Sequence, residues 1–343
     1  MAVIYNAIGW NRQKKVYDWL ILGMVVLYIG LFVGLNIVFS PGITPETLII
    51  RAFGSLAIIM LHIILAIGPM ARLYPRFLPI LYNRRHLGVS MFLIAAVHGV
   101  FSIIQFHTLG SLNPFVSLFV SNSDYGNLSR FPFEILGFFA LVILFLMAAT
   151  SHDFWLNTLS PRVWKTLHMS VYVAWALVVM HVMLGVVQYD TSPLTVGFIG
   201  SGMALLIVLH LMAGLKQNRE NKSEYQLENG FVRVCEVNEI SDKRAKMVLI
   251  GKENIAIFRY GNKLSALSNV CKHQNGPLGE GKIVNGCVVC PWHGYEYKPE
   301  DGTSPPPFKE KVATYNLRLV GSAVYVNPSP HPEGTRVEPL IIS

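Results

Sequence analysis

The sequence predicts a multi-domain protein: a six-helix transmembrane bundle followed by a small antiparallel all-β domain. Three observations carry that expectation. Of the 343 residues 52% are hydrophobic and only 14% charged, so part of the chain is not built for water. Before about residue 215 the apolar residues gather into six runs, each near the roughly twenty that a bilayer demands. Beyond about 225 the runs shorten, alternate and are separated by Gly, Asn and Asp.

The first predicted span covers 16–39 and follows Arg12, Lys14 and Lys15. It is too long for a removed signal peptide and lacks the cleavage-site chemistry of one. The next five cover 52–70, 87–106, 133–150, 164–187 and 194–215. Gly30 and Gly34 in the first, and Gly197, Gly200 and Gly202 at the start of the sixth, read as close helix packing. If the spans alternate, Arg12, Lys14, Lys15, Arg72, Arg76, Arg84, Arg85, Arg162, Lys165, Lys216, Arg219 and Lys222 share one side. Only Arg51 and Arg130 lie close to the spans on the other. The positive-inside rule then places both termini and the β-domain in the cytoplasm, with the chain in an inner or cytoplasmic membrane. The formal charge of +8 is therefore matched to membrane lipid and not to nucleic acid.

Residues 216–224 are polar and read as a short linker or a frayed continuation of the last helix. Strands are expected at 231–237, 247–250, 255–259, 263–267 and 323–326, and an extended proline-rich tail at 329–343. No internal repeat is visible.

Histidines inside the spans are costly unless partnered, and so are functional candidates. His62 and His98 lie near the middle of the second and third spans, His168 and His181 share the fifth, and His210 is in the sixth. His168 and His181 are thirteen residues apart, about 20 Å along a helix axis. That spacing suits two haem irons stacked across a bilayer, each held by histidines from different helices, although an imidazole bonded to a neighbouring helix is the plainer alternative. Depth pairs His98 with His181, and His62 with His168; His210 also approaches the His168 level. His86 reads as interfacial, His107 as solvent-facing at the outer end of its span, and Arg72 and Arg85 as partners for haem propionates or lipid headgroups.

The β-region contains CKHQNGPLGEGKIVNGCVVCPWH, from Cys271 to His293. Cys271 and His273 form a C-x-H pair, and Cys290 and His293 a C-x-x-H pair sixteen residues later. Two thiolates and two imidazoles are the donor set of a [2Fe-2S] centre with thiolates on one iron and imidazoles on the other. A structural zinc site is the alternative, but such sites pair Cys with Cys and His with His, whereas each half here is mixed. Gly276, Gly279, Gly281 and Gly294 would let backbone amides approach the sulfurs. Cys235 and Cys287 read as buried small side chains and not as a bridge.

CKH, CPWHGYEY, the run Ser304-Pro305-Pro306-Pro307 and Tyr315-Asn316-Leu317 closely resemble the Rieske family over 225–328. The respiratory-complex type carries an extra disulfide beside its cluster, and the matching positions here, Gln274 to Pro277 and Trp292, hold no cysteine. The resemblance is thus to the ferredoxin or oxygenase-component type and implies a lower potential. RAFGSLAIIMLHIILAIGPMARLYP, NRRHLGVSMFLIAAVHG and VWKTLHMSVYVAWALVVMHVMLG resemble the ferric-reductase-like transmembrane domain over 50–187, especially the haem-binding membrane subunit of the methionine sulfoxide reductase system. That resemblance implies that His98, His168 and His181 bind haem b, with His62 the first choice for a fourth ligand, and one or two haems in all.

The two resemblances imply an oxidoreductase or electron-transfer subunit. Electrons would pass from a soluble cytoplasmic donor, a ferredoxin or flavin reductase, through the cluster and the haems. The acceptor outside would be a ferric chelate, a periplasmic oxidoreductase or a quinone, docking at His107 and the loop 108–130. No G-x-G-x-x-G signature is present for a nicotinamide domain. Quinol-to-cytoplasm transfer feeding an oxygenase, and a non-catalytic redox sensor or anchor, are the alternative readings.

Overall fold

The computed structural model describes residues 12–81, 84–151, 155, 159, 161–189, 193–221, 227–251, 253–273, 275–292, 294–306 and 308–342. The chain divides into a mainly helical unit and a unit dominated by the β-domain, and each is taken by itself.

In the helical part α1 spans Arg12–Phe39, α2 Pro45–Leu73, α3 Leu78–Leu81, α4 Arg84–His107, α5 Pro114–Val120 and α6 Phe133–Ala149. These are followed by α7 Pro161–Met169, α8 Val171–Tyr189 and α9 Pro193–Asn221. Among the described residues five helical stretches are long and apolar enough to cross a membrane: Lys15–Phe39, Pro45–Leu73, Arg84–His107, Val163–Gly185 and Val196–Lys216. They expose large apolar side chains, such as Trp19 and Phe39 on α1, as a lipid-facing surface does. The count is thus five and not the six expected. The span expected at 133–150 is a helix of 17 residues, about 26 Å long against a hydrocarbon core of roughly 30 Å. The hydroxyls of Thr150 and Ser151 close its end by donating to the carbonyls of Leu146 and Met147, at 2.7 Å each. Helix α6 runs antiparallel to α7 and α8: its Phe133 carbonyl meets His181, and its Thr150 carbonyl accepts from Trp164 Nε1 at 3.4 Å.

The span expected to be continuous over 164–187 is interrupted at Ser170, whose amide and hydroxyl both turn back to the Leu167 carbonyl. The expected linker at 216–224 is helical as far as Asn221. Leu61, Met60, Met91, Leu144, Ala174 and Leu206, one or two from each of five helices, form the apolar centre of the bundle.

Among the described residues the β-domain has twelve short strands: β1 Leu227–Glu228, β2 Phe231–Glu236, β3 Ala245–Ile250, β4 Glu253–Tyr260, β5 Lys263–Ser268, β6 Lys282–Val284, β7 Cys287–Val289, β8 Glu296–Tyr297, β9 Thr314–Tyr315, β10 Leu317–Val320, β11 Ala323–Val326 and β12 Leu340–Ile341. The pairing is antiparallel throughout, in sheets ordered β1-β2-β11-β10, β12-β5-β4-β3 with β9 on β5, and β6-β7-β8. The expected strands are present to within two residues at each end. The tail departs from the expectation of a merely extended segment. Its Leu340 and Ile341 pair with Leu264 and Lys263, and the Ile342 amide donates to the Asn262 carbonyl at 2.7 Å.

Candidate metal centres

The third sheet sets the two cysteine loops side by side. Asn285 (φ 51°) and Gly286 (φ 81°) make the tight turn joining β6 to β7, since two successive left-handed residues match the twist of a two-residue hairpin. The Cys271 loop leads into this hairpin, and β7 ends immediately before Cys290.

The two loops fold alike. The Cys271 carbonyl accepts from the Asn275 amide at 2.7 Å, and the Cys271 amide donates to the Gly276 carbonyl at 2.9 Å. Likewise the Cys290 carbonyl accepts from the Gly294 amide at 2.9 Å, and the Cys290 amide donates to the Tyr295 carbonyl at 2.7 Å. In each the fourth residue after the cysteine is left-handed, Asn275 at φ 57° and Gly294 at φ 74°. Each loop is therefore one closed turn that fixes its thiol, and the two thiols are each 1% exposed.

Of the four glycines expected near sulfur, Gly276 is there: a Cβ on it would sit 2.9 Å from Cys290 Sγ and 3.2 Å from the Trp292 ring. Gly279 packs instead on Met247 and Asn269, Gly281 on the Val289 carbonyl, and Gly294 serves the loop turn. His273 stacks on Tyr295, with ring centroids 4.5 Å apart and planes 11° apart. The Phe308 ring packs on Tyr295 as well, with centroids 4.4 Å apart. His293 lies outside the described residues. The buried thiol pair and the side-chain-free approach at Gly276 fit a thiolate-bound cluster.

Tyr297 was not picked out from the sequence. Its hydroxyl accepts from the Lys272 amide at 3.1 Å and lies 3.4 Å from Cys271 Sγ, placed to donate to that sulfur when it is a thiolate. Burial, and then the neighbouring Cys271, push this phenol well above the ordinary tyrosine range, so it stays a donor. Of the remaining thiols, Cys235 lies in the β-core, where burial raises it to about 11, and Cys287 is raised by burial too.

In the bundle His98 of α4 and His181 of α8 face each other with ring centroids 6.2 Å apart and planes at 82°. His98 Nδ1 lies 2.9 Å from the Ile50 carbonyl and His181 Nδ1 2.8 Å from the Phe133 carbonyl. A carbonyl only accepts, so both rings carry their proton on Nδ1 and keep a lone pair on Nε2. Two metal–nitrogen bonds of about 2 Å, plus half a ring on each side, bring such centroids to about 6 Å. The pair fits a metal that would be held by two imidazoles.

The two rings are held by the same device. Ile50 and Phe133 each lie four residues before a glycine, Gly54 on α2 and Gly137 on α6. A Cβ on Gly54 would sit 2.8 Å from His98 Nδ1, and one on Gly137 would sit 2.8 Å from His181 Nδ1. Sequence reasoning passed over both. A glycine inside an apolar helix was the available signal.

His168 and His62 are not brought together as a pair. His168 stacks on Trp164 at 3.8 Å, its Nδ1 bonds the Trp164 carbonyl at 3.1 Å, and its buried Nε2 has no hydrogen-bond partner. His62 bonds the Ile58 carbonyl through Nδ1, and its Nε2 accepts from Trp175 Nε1 at 3.5 Å. His210 is engaged by the Tyr172 hydroxyl at 3.1 Å, and His86 by Asp18 at 3.0 Å. The expectation that His107 faces solvent fails: it is 5% exposed, between Ser117 and Glu134. Helix α5 folds back over the end of α4 and covers it.

Comparison with known proteins adds the following. Residues 230–316 match the family model of the Rieske [2Fe-2S] domain, and 53–179 that of the ferric reductase like transmembrane component. The anthranilate 1,2-dioxygenase ferredoxin subunit of Burkholderia cepacia is 33% identical over 92 residues, 26% of this chain and 85% of that protein. Cholesterol 7-desaturase nvd 1 of Ciona intestinalis is 33% identical over 106 residues, and the match spans only 23% of its length. The ferredoxin of carbazole 1,9a-dioxygenase from Nocardioides aromaticivorans IC177 aligns in structure with 22% identity and a TM-score of 0.28, over 29% of this chain and 98% of that one.

Proposed function

We propose that this chain, which belongs to the Rieske [2Fe-2S] family and joins that domain to a ferric-reductase-like transmembrane component in a multi-pass membrane protein, carries electrons across the membrane. They pass between a soluble cytoplasmic donor of the ferredoxin or flavin-reductase kind and an acceptor on the other side. The observation that carries this reading is the His98–His181 pair, whose ring centroids lie 6.2 Å apart and whose Nδ1 atoms are both engaged by carbonyls, in a chain that also bears an iron-sulfur domain.

Cys271 and Cys290 would hold one iron of the cluster and His273 and His293 the other, with the Tyr297 hydroxyl placed to bond the Cys271 sulfur. His98 and His181 hold a haem b, which supplies one-electron chemistry when bound. His168, with its buried Nε2, stands ready for a second haem. His62 joins it only if the Trp175 indole releases His62 Nε2.

The test is reconstitution of purified protein in vesicles with an enclosed acceptor and a reductant outside. Reduction of the acceptor is the expected result. Protein that shows b-type bands and a cluster signal but leaves the acceptor oxidised sinks the conduit and leaves a sensor or anchor. A reversed flow, from quinol to a cytoplasmic oxygenase, is favoured by the match to a dioxygenase ferredoxin subunit. A cluster potential above that of the haem would select it.

A further inference from the structure

The end of the bundle at which Glu134 opens α6 holds a cluster of polar side chains that the electron path does not use. His107, the last residue of α4, is buried with Nδ1 at 3.0 Å from Ser117 Oγ and Nε2 at 3.3 Å from Glu134 Oε2. An ionised carboxylate only accepts, so Nε2 carries a proton. A hydroxyl either donates or accepts, so Nδ1 keeps its partner whether or not it is protonated. Turning one hydroxyl is then enough for the ring to gain or lose a proton with both contacts intact. A buried imidazole that bonds a carbonyl through Nδ1, as His98 and His181 do, has no such freedom.

The position of the cluster matters as much as its chemistry. Glu134 directly follows Phe133, whose carbonyl accepts from His181 Nδ1 at 2.8 Å and whose ring lies 5.3 Å from the His181 ring. One peptide unit thus links the carboxylate-bearing residue to the imidazole proposed to hold the haem. A change of one charge at the buried His107 imidazole reaches the His181 ring through that short link. Few other charges compete. Helix α5 carries none, α6 carries only Glu134, and α8 carries only His181 besides its tyrosines. Helix α2 meets this end of α4 through the Gln105–Thr47 hydrogen bond and brings Glu46 and Arg51, both exposed. The loop between α5 and α6 brings Asp124 and Arg130, also exposed.

We propose that His107, with Ser117 and Glu134, is a proton-exchanging site linked to the His98–His181 centre. It takes one proton from the medium as one electron arrives there and returns it as the electron leaves to the acceptor. The proposal rests on the reading above in one respect, that His98 and His181 hold a haem.

The test is a potentiometric titration of the b-type absorption bands of the purified full-length protein between about pH 5 and pH 9. The expected midpoint potential falls with rising pH over part of that range. In His107→Gln it is flat over the same stretch. In Glu134→Gln the sloping stretch moves along the pH axis, because the ring loses the carboxylate that it bonds. A pH-independent midpoint in the unmodified protein overturns the proposal, and so does an unchanged slope in His107→Gln. If His107→Gln does not fold, an unmoved slope in Glu134→Gln has the same force. Absence of b-type bands from the unmodified protein instead removes the haem reading beneath it.

Discussion

Cys271 and Cys290 sit in loops that organise themselves, each closed by two backbone hydrogen bonds within six residues and a left-handed fourth position. His98 and His181 are organised by their neighbours: each ring rests on a glycine of another helix and bonds a carbonyl one turn earlier. A self-contained loop depends on its own residues, and damage to it stays local. A ring positioned by a second helix depends on distant residues, and a change far away in sequence reaches it.

The sharpest way to break the comparison is to remove one donor from each region. Cys290→Ser is expected to abolish the iron-sulfur paramagnetic signal while leaving any b-type absorption bands, and His181→Ala the reverse. Loss of both signals in either variant would show that the two regions do not load independently. Next in size is Gly137→Ala, whose Cβ would meet His181 at 2.8 Å. It is expected to reduce haem content several-fold, whereas Gly200→Ala, with nothing within 4 Å, leaves it unchanged. Equal haem content in the two would remove the glycine from the account.

Smaller again is Tyr297→Phe, which deletes the hydroxyl aimed at Cys271 Sγ. Losing one such hydrogen bond to the reduced cluster, about 1 kcal/mol, lowers its potential by roughly 40 mV. Redox titration of the cluster, with the haem bands as internal reference, reads the change; an unmoved potential counts against the role of the hydroxyl. The smallest effect concerns Cys235, whose thiol is raised from 9.0 to about 11 by burial. The unfolded chain gives up that proton first as pH rises, so the stability of the β-domain falls between about pH 9 and pH 11. Cys235→Ala is expected to flatten that stretch of a thermal-denaturation profile against pH.

The self-organised region was the more legible. Cys271, His273, Cys290 and His293 stand in one short stretch, and the alternation of 231–237 or 323–326 marks its strands directly. What escaped were the β6–β7 hairpin, announced by Asn285-Gly286, and β12, whose place depends on backbone pairing with Leu264 and not on its own residue types. In the bundle, hydropathy shows where helices run but not which faces meet. His98 and His181 stood out as ionisable residues in apolar runs, yet Gly54 and Gly137 looked like any packing glycine. The burial of His107 depends on the fold-back of α5, which hydropathy does not report. The short α6 was read as a full span because 133–149 is apolar almost throughout, and composition does not weigh a helix of 17 residues against the thickness of a bilayer.

The interruption at Ser170 sets His168 and His181 on separate segments, α7 and α8. A single rigid rod would have locked their heights and headings to each other. With a joint between them, a change of angle at Ser170 reorients the His168 ring while α8 and His181 stay seated against α6.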